Sequence, residues 1–75
     1  MGELSASERA ILDIEARLWT RVAAKEDAIR MAFEWSPTQY YQALNALIDR
    51  EEAMAEYPMT VGRLRRARDA ARRGR

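Results

Sequence analysis

A chain of 75 residues allows one domain, and at that length only about 60% of the unfolded surface is buried, so the core is small. With 48% hydrophobic and 33% charged residues, three Gly and two Pro, and with Ala, Leu, Glu and Arg dominant, the composition is that of a soluble helical domain. The absence of Cys and His excludes disulfides, thiolate zinc sites, thiol nucleophiles and imidazole bases, and the net charge of +1 divides into −5 over residues 1–62 and +6 over residues 63–75.

The opening residues, MGELSASERA, lack the basic and apolar regions of a signal peptide, and no apolar run approaches the roughly 18 residues of a membrane span. A cytoplasmic protein with no membrane contact is the expectation. Ser5 and Glu8 have the spacing of a capping box, with Leu4 as the hydrophobic residue before the cap. Ile11, Leu12, Ile14, Leu18 and Trp19 then recur at helical spacing, which predicts a first helix over about 6–19. Its outer face takes most of Glu8, Asp13, Glu15, Arg9 and Arg17, and Asp13 and Arg17 stand four apart in the favourable order for an ion pair.

TRVAAK contains no Gly or Pro, so the first helix either bends there or continues through it. Residues 24–33 predict a second helix, with Glu26 and Asp27 suited to the positive end of its dipole and Ala28, Ile29, Ala32 and Phe33 turned inward. After Glu34-Trp35 comes the strongest local signal in the chain. Ser36 is an N-cap, Pro37 fits the first helical position, and Gln39 closes a capping box. The third helix runs to about Asp49, burying Tyr40, Leu44, Leu47 and Ile48, with Ala43 permitting close approach.

REEAMAEY reads as a short fourth helix or a one-turn extension of the third. Tyr57 precedes Pro58 and is therefore biased away from helix, and Thr60 is the expected cap of a last helix over about 61–73, with a frayed RRGR end. Val61 and Leu64, joined by Ala67 and Ala71, form its apolar strip. The expected fold class is all-α, a single-domain bundle of four to five helices, with Trp19 and Trp35 at the edge of one core.

Little chemistry is available to these residues. Ser5, Ser7 and Ser36 sit at helix starts with no imidazole to activate them. Glu51 and Glu52 are neighbours in sequence and point about 100° apart on a helix, so they do not converge. With no Gly-rich phosphate loop and no metal-ligand spacing, the sequence predicts neither an enzyme nor a cofactor or metal site.

What remains is a helix–turn–helix pattern over about 24–49. Ile29 takes the apolar position of its first helix, Trp35 and Ser36 the end of the turn, and Tyr40 and Leu44 the inner face of the second helix. Arg30 stands where a small residue is usual. Glu34 stands where Gly is usual, and since Glu reaches positive φ only at a cost, a different turn geometry is expected. The candidate nucleic-acid contacts are Ser36, Thr38, Gln39, Tyr41 and Gln42 at the start of the third helix, and the arginines of the basic end, Arg63, Arg65, Arg66, Arg68, Arg72 and Arg73, within a helix taken to about residue 75. Gln pairs with adenine in two hydrogen bonds, Thr reaches a thymine methyl or a phosphate, and Tyr donates to phosphate. The third helix has no cation before Arg50, so the phosphate charge must be met by Arg21, Lys25, Arg30 and the Arg-rich end.

The segments ERAILDIEARLW, AKEDAIRMAF, SPTQYYQALNALID and VGRLRRARDAARR together resemble a group of short actinobacterial proteins known as a domain of unknown function, over about residues 7–73. Its most specific element is Ser36 to Leu47. The resemblance implies a compact helix–turn–helix-like domain of DNA-binding or regulatory role, with no catalytic residues to carry over. The turn unit alone is also similar to region 4 of sigma factors. The expected function is a small DNA-binding protein of transcription, as a dimer or a subunit of a larger complex. The alternative is an adaptor that docks on RNA polymerase, a sigma factor or another regulator.

Overall fold

A computed structural model describes residues 3–73 as five helices: α1 (Ala6–Ala16), α2 (Val22–Phe33), α3 (Pro37–Leu47), α4 (Glu51–Glu56) and α5 (Pro58–Arg73). No strand occurs among the described residues, so the fold is all-α as its composition requires. Of the RRGR end expected to fray, Arg72 and Arg73 belong to α5, while residues 74–75, and with them the part of the basic helix taken to residue 75, lie outside the described residues.

Helix α1 starts where its capping box says it should. Ser5 Oγ accepts the Glu8 N–H, and Glu8 Oε1 accepts the Ser5 N–H at 2.8 Å. It ends three residues earlier than periodicity predicts. Arg17 leaves the helix in an extended conformation, and the Trp19 indole N–H folds back to donate to the Ile14 carbonyl at 2.7 Å. That carbonyl also accepts the Arg17 backbone N–H at 3.3 Å, so the indole bond is its second. The fold-back throws Leu18, expected in the core, into solvent at 93% exposure. The Asp13–Arg17 pair does not form, because Arg17 is no longer helical: it lies over the Trp19 ring at 4.3 Å, and Asp13 accepts the Tyr57 hydroxyl at 2.7 Å.

Helix α2 begins two residues earlier than predicted, at Val22, with no side-chain cap. Glu26 and Asp27 therefore lie beyond its first turn, and Asp27 pairs with Arg30 instead of serving the dipole. Ile29 is buried, Ala28 and Phe33 are half-buried, and Ala32 is exposed, against expectation. Helix α4 is separate from α3, with Glu51 and Glu52 in its first turn. Pro58 opens α5 and replaces Thr60 as the start of the helix, which follows from proline's fitness for a first helical position.

The core gathers Leu4, Ile11, Leu12, Ile14, Ile29, Tyr40, Leu44, Leu47, Ile48, Ala53 and Val61, with Trp19, Phe33, Trp35 and Leu64 packed against it. Ala67 and Ala71 are exposed, so the apolar strip of α5 ends at Leu64 and its last two turns carry no buried residue. Among the described residues no helix is long and apolar enough to cross a membrane.

Candidate nucleic-acid interface

The start of α3 is held from three directions. Its cap is complete: Ser36 Oγ accepts the Gln39 N–H at 3.2 Å, and Gln39 Oε1 accepts the Ser36 N–H at 2.9 Å. Before the cap, Glu34 stands at φ 56°, ψ 29°, the one positive φ among the described non-glycine residues. The altered turn expected from the missing glycine is thus not found. Glu34 itself takes the left-handed conformation, at a cost of about 1–2 kcal/mol, and three residues separate α2 from α3. Phe33 and Trp35 stack across this turn with ring centroids 4.5 Å apart.

The third restraint lies in the core. Tyr40 is fully buried, and its hydroxyl donates to Glu15 at 2.6 Å. Lys25 Nζ reaches the same carboxylate at 3.0 Å. Glu15 belongs to α1, Lys25 to α2 and Tyr40 to α3, so one buried carboxylate joins the three helices. Burial, followed by the hydrogen bond to Glu15, pushes the Tyr40 hydroxyl well above the ordinary tyrosine range. Glu15 had been placed on the outer face of α1. It is four residues after Ile11 and three after Leu12, a spacing that does put it on the inner stripe, but only the position of Tyr40 and Lys25 makes burial of a carboxylate tolerable.

Thr38, Tyr41 and Gln42 are exposed on the open face of α3, together with Asn45. Tyr41 packs edge-on against Tyr40 at 5.0 Å, and Lys25 Nζ lies 5.8 Å from its ring centre. A cation beside the polar face of α3 is thus supplied by α2, and Arg21 stands four residues before it in sequence. Ser36 and Gln39 are different. Their polar groups serve the cap, so they hold the helix and have less left to offer a ligand. A cavity of about 190 Å³ lies in the crook of α2 and α3, lined by Ile29, Trp35, Pro37 and Tyr41 with Glu26 and Arg30.

The basic end divides into two sets. Arg63 donates to the Glu15 carbonyl at 2.7 Å, Arg65 donates to the Ile48 carbonyl at 2.5 Å, and Arg68 pairs with Asp49 at 3.0 Å. These three fasten α5 to the ends of α1 and α3, and the Arg68 guanidinium holds the Asp49 carboxyl below its usual range. Arg66, Arg72 and Arg73 are exposed and form no ion pair among the described residues. Arg65 and Arg68 contact the C-terminal end of α3. Thr38 and Tyr41 lie at the other end of that helix, whose 11 residues span roughly 16 Å. The two candidate surfaces therefore flank α3 and do not merge.

With this geometry in place, the comparison with known families is informative: residues 3–75 match the model described as "Protein of unknown function (DUF3263)". The chain belongs to that family. Its match spans all five helices, so the DUF3263 unit is the whole helical domain and not the α2–α3 pair alone. No curated protein and no solved structure matches the chain.

Proposed function

We propose that this DUF3263 protein is a small cytoplasmic DNA-binding protein of transcription, with α3 as its groove-reading helix. The observation that carries this reading is the rigid presentation of α3: a left-handed residue in a three-residue turn, a complete cap and a buried anchor at Tyr40 set out Thr38, Tyr41 and Gln42 as an uncharged polar ridge. Base readout requires donors and acceptors fixed to within a fraction of an ångström. Phosphate contact falls to Arg21 and Lys25 on one side, and to Arg66, Arg72 and Arg73 on the other. Arg63, Arg65 and Arg68 contribute by holding α5 in place. One such module covers a limited length of duplex, so a dimer reading two half-sites is the form we propose.

Glu26 and Glu34, both exposed beside the start of α3, favour the second reading, an adaptor whose α2–α3 crook receives a basic segment of a transcription protein. Selection of sites from random duplex DNA separates the two. A DNA reader enriches a motif, and Gln42→Ala then costs about 1–3 kcal/mol on that motif and little on scrambled duplex. If no sequence is enriched and Gln42→Ala instead abolishes capture of a protein partner in nuclease-treated lysate, the adaptor reading replaces the first.

A further inference from the structure

Five residues, Arg17 to Arg21, join α1 to α2; Trp19 packs against the core and Arg21 is a proposed phosphate contact, which leaves Arg17, Leu18 and Thr20 exposed and without a role in the reading above. The chain has six serine and threonine hydroxyls. Ser5 and Ser36 are N-caps whose oxygens accept backbone N–H groups. Ser7, Thr38 and Thr60 lie within α1, α3 and α5. Thr20 alone is neither in a helix nor engaged as a cap, and it is exposed. A protein kinase takes its substrate as extended chain, because the peptide groups on either side of the acceptor have to lie along its cleft. Thr20 and the three residues before it lie outside any helix, and α2 begins two residues after it, at Val22. It also has Arg17 three residues before it and Arg21 one residue after it, and no other hydroxyl in the chain has an arginine three positions ahead. Leu18, between them, is 93% exposed, and of this segment only Trp19 is turned toward the core.

We propose that Thr20 is a phosphorylation site for a kinase that recognises arginine three residues before its acceptor, and that the phosphate weakens the contact with DNA; the second half rests on the function proposed above. In the transfer, Thr20 Oγ1 attacks the γ-phosphorus of a nucleoside triphosphate. The new O–P bond forms, the bond from that phosphorus to the β–γ bridging oxygen breaks, and nucleoside diphosphate leaves. The hydroxyl proton passes to the carboxylate base of the kinase.

The product adds a charge of about −1.5 to −2 between two arginines that form no ion pair among the described residues. Arg21 stands one turn from Lys25, and Lys25 lies over Tyr41 on the side of α3 that meets the duplex. The phosphate therefore cancels positive charge on the α2 flank of the interface and repels the DNA backbone. With Arg21 neutralised, one phosphate contact is lost, so the slope of log K against log salt falls by about 0.9, and affinity for any duplex falls by roughly severalfold at low salt.

The test treats the full chain with an arginine-directed serine/threonine kinase and magnesium ATP, and reads intact mass and fragment masses. The expected result is one phosphate on Thr20, none on Thr20→Val, and a rate at least about tenfold lower on Arg17→Ala, since that variant removes one charge-assisted contact. No incorporation, or incorporation at another hydroxyl, overturns the site. Modified and unmodified chains are then compared on a mixed-sequence duplex over a salt series. A drop in affinity and slope supports the regulatory half, and equal binding overturns it. If the unmodified chain binds no duplex, the DNA reading falls and takes the regulatory half with it, while the mass measurement still decides Thr20.

Discussion

Tyr40, Glu15 and Lys25 matter at the level of single residues because a carboxylate that is 5% exposed needs both partners. Tyr40→Phe removes a hydrogen bond to a charged acceptor and is expected to cost about 1.5–3 kcal/mol in denaturant unfolding. Lys25→Met leaves the buried carboxylate without its counter-charge and should cost more, about 3–5 kcal/mol. The reverse order would mean that Lys25 contributes little at this site. Glu34 is the other residue under strain. Glu34→Gly relieves the left-handed cost but adds backbone entropy to the unfolded chain, so a gain of up to about 1 kcal/mol is expected, or a rise in Tm of about 4–8 °C at most. Glu34→Val, with a branched Cβ at positive φ, is expected to lower Tm instead. A loss with glycine would show that the Glu34 side chain has a role of its own.

Two elements separate holding from contacting. On α3, Ser36→Ala should cost about 1 kcal/mol of stability through loss of the N-cap, and Gln39→Ala should also destabilise because its carbonyl closes the capping box. Gln42→Ala, on the exposed face, should leave stability within about 0.5 kcal/mol and change only DNA specificity. Thermal melts of the three variants beside binding curves check that division. On α5 the same split runs through the arginines. Arg65→Ala and Arg68→Ala release bonds to the end of α3 and are expected to lower Tm. Arg66→Ala with Arg72→Ala should leave Tm in place and reduce the salt slope of DNA binding by about 1.8, at roughly 0.9 per phosphate contact. An unchanged slope would assign those two arginines to something other than phosphate.

For the molecule as a whole, stability is expected to fall at both ends of the pH scale. The Ser5 backbone N–H, ahead of Arg50, holds the Glu8 carboxyl below its ordinary 4.5, and the Arg68 hydrogen bond holds Asp49 below its ordinary 3.8. A depressed folded-state pKa gives stability that is present above the ordinary value and lost as pH drops through the folded one, so unfolding midpoints in urea should decline below about pH 4. Tyr40 and Tyr57 are raised above their ordinary 10, the first by burial and the second by its hydrogen bond to Asp13. Their contribution is present below pH 10 and is lost as pH climbs through the raised values. Urea midpoints across both limbs check this, with Tyr57→Phe reducing the alkaline decline. Leu44, 5% exposed in the core, tests its small size: Leu44→Ala should cost about 2–5 kcal/mol, enough to unfold much of so short a domain.

Sequence alone determined what depends on neighbours along the chain. Both capping boxes, at Ser5 and Ser36, were legible because each closes within three residues, and the inner stripe from Ile11 to Ile48 was legible because helical period decides which residues share a face. The family resemblance was legible for the same reason, since it rests on runs of adjacent residues. The end of α1 was not, because no Gly or Pro stops it. It stops where the Trp19 indole finds the Ile14 carbonyl, and Leu18 is expelled as a result. The inward turn of Glu15 was not legible either: a carboxylate reads as surface until Tyr40 and Lys25, 25 and 10 residues away, arrive to satisfy it. The basic end shows the limit most clearly. Charge density marked Arg63 to Arg73 as candidate phosphate contacts, yet the carbonyls of Glu15 and Ile48 and the carboxylate of Asp49 claim three of those arginines. Which cations remain for a partner was decided by packing, because a guanidinium near an open helix end is drawn to its carbonyls, and only the tertiary structure brings those ends within reach.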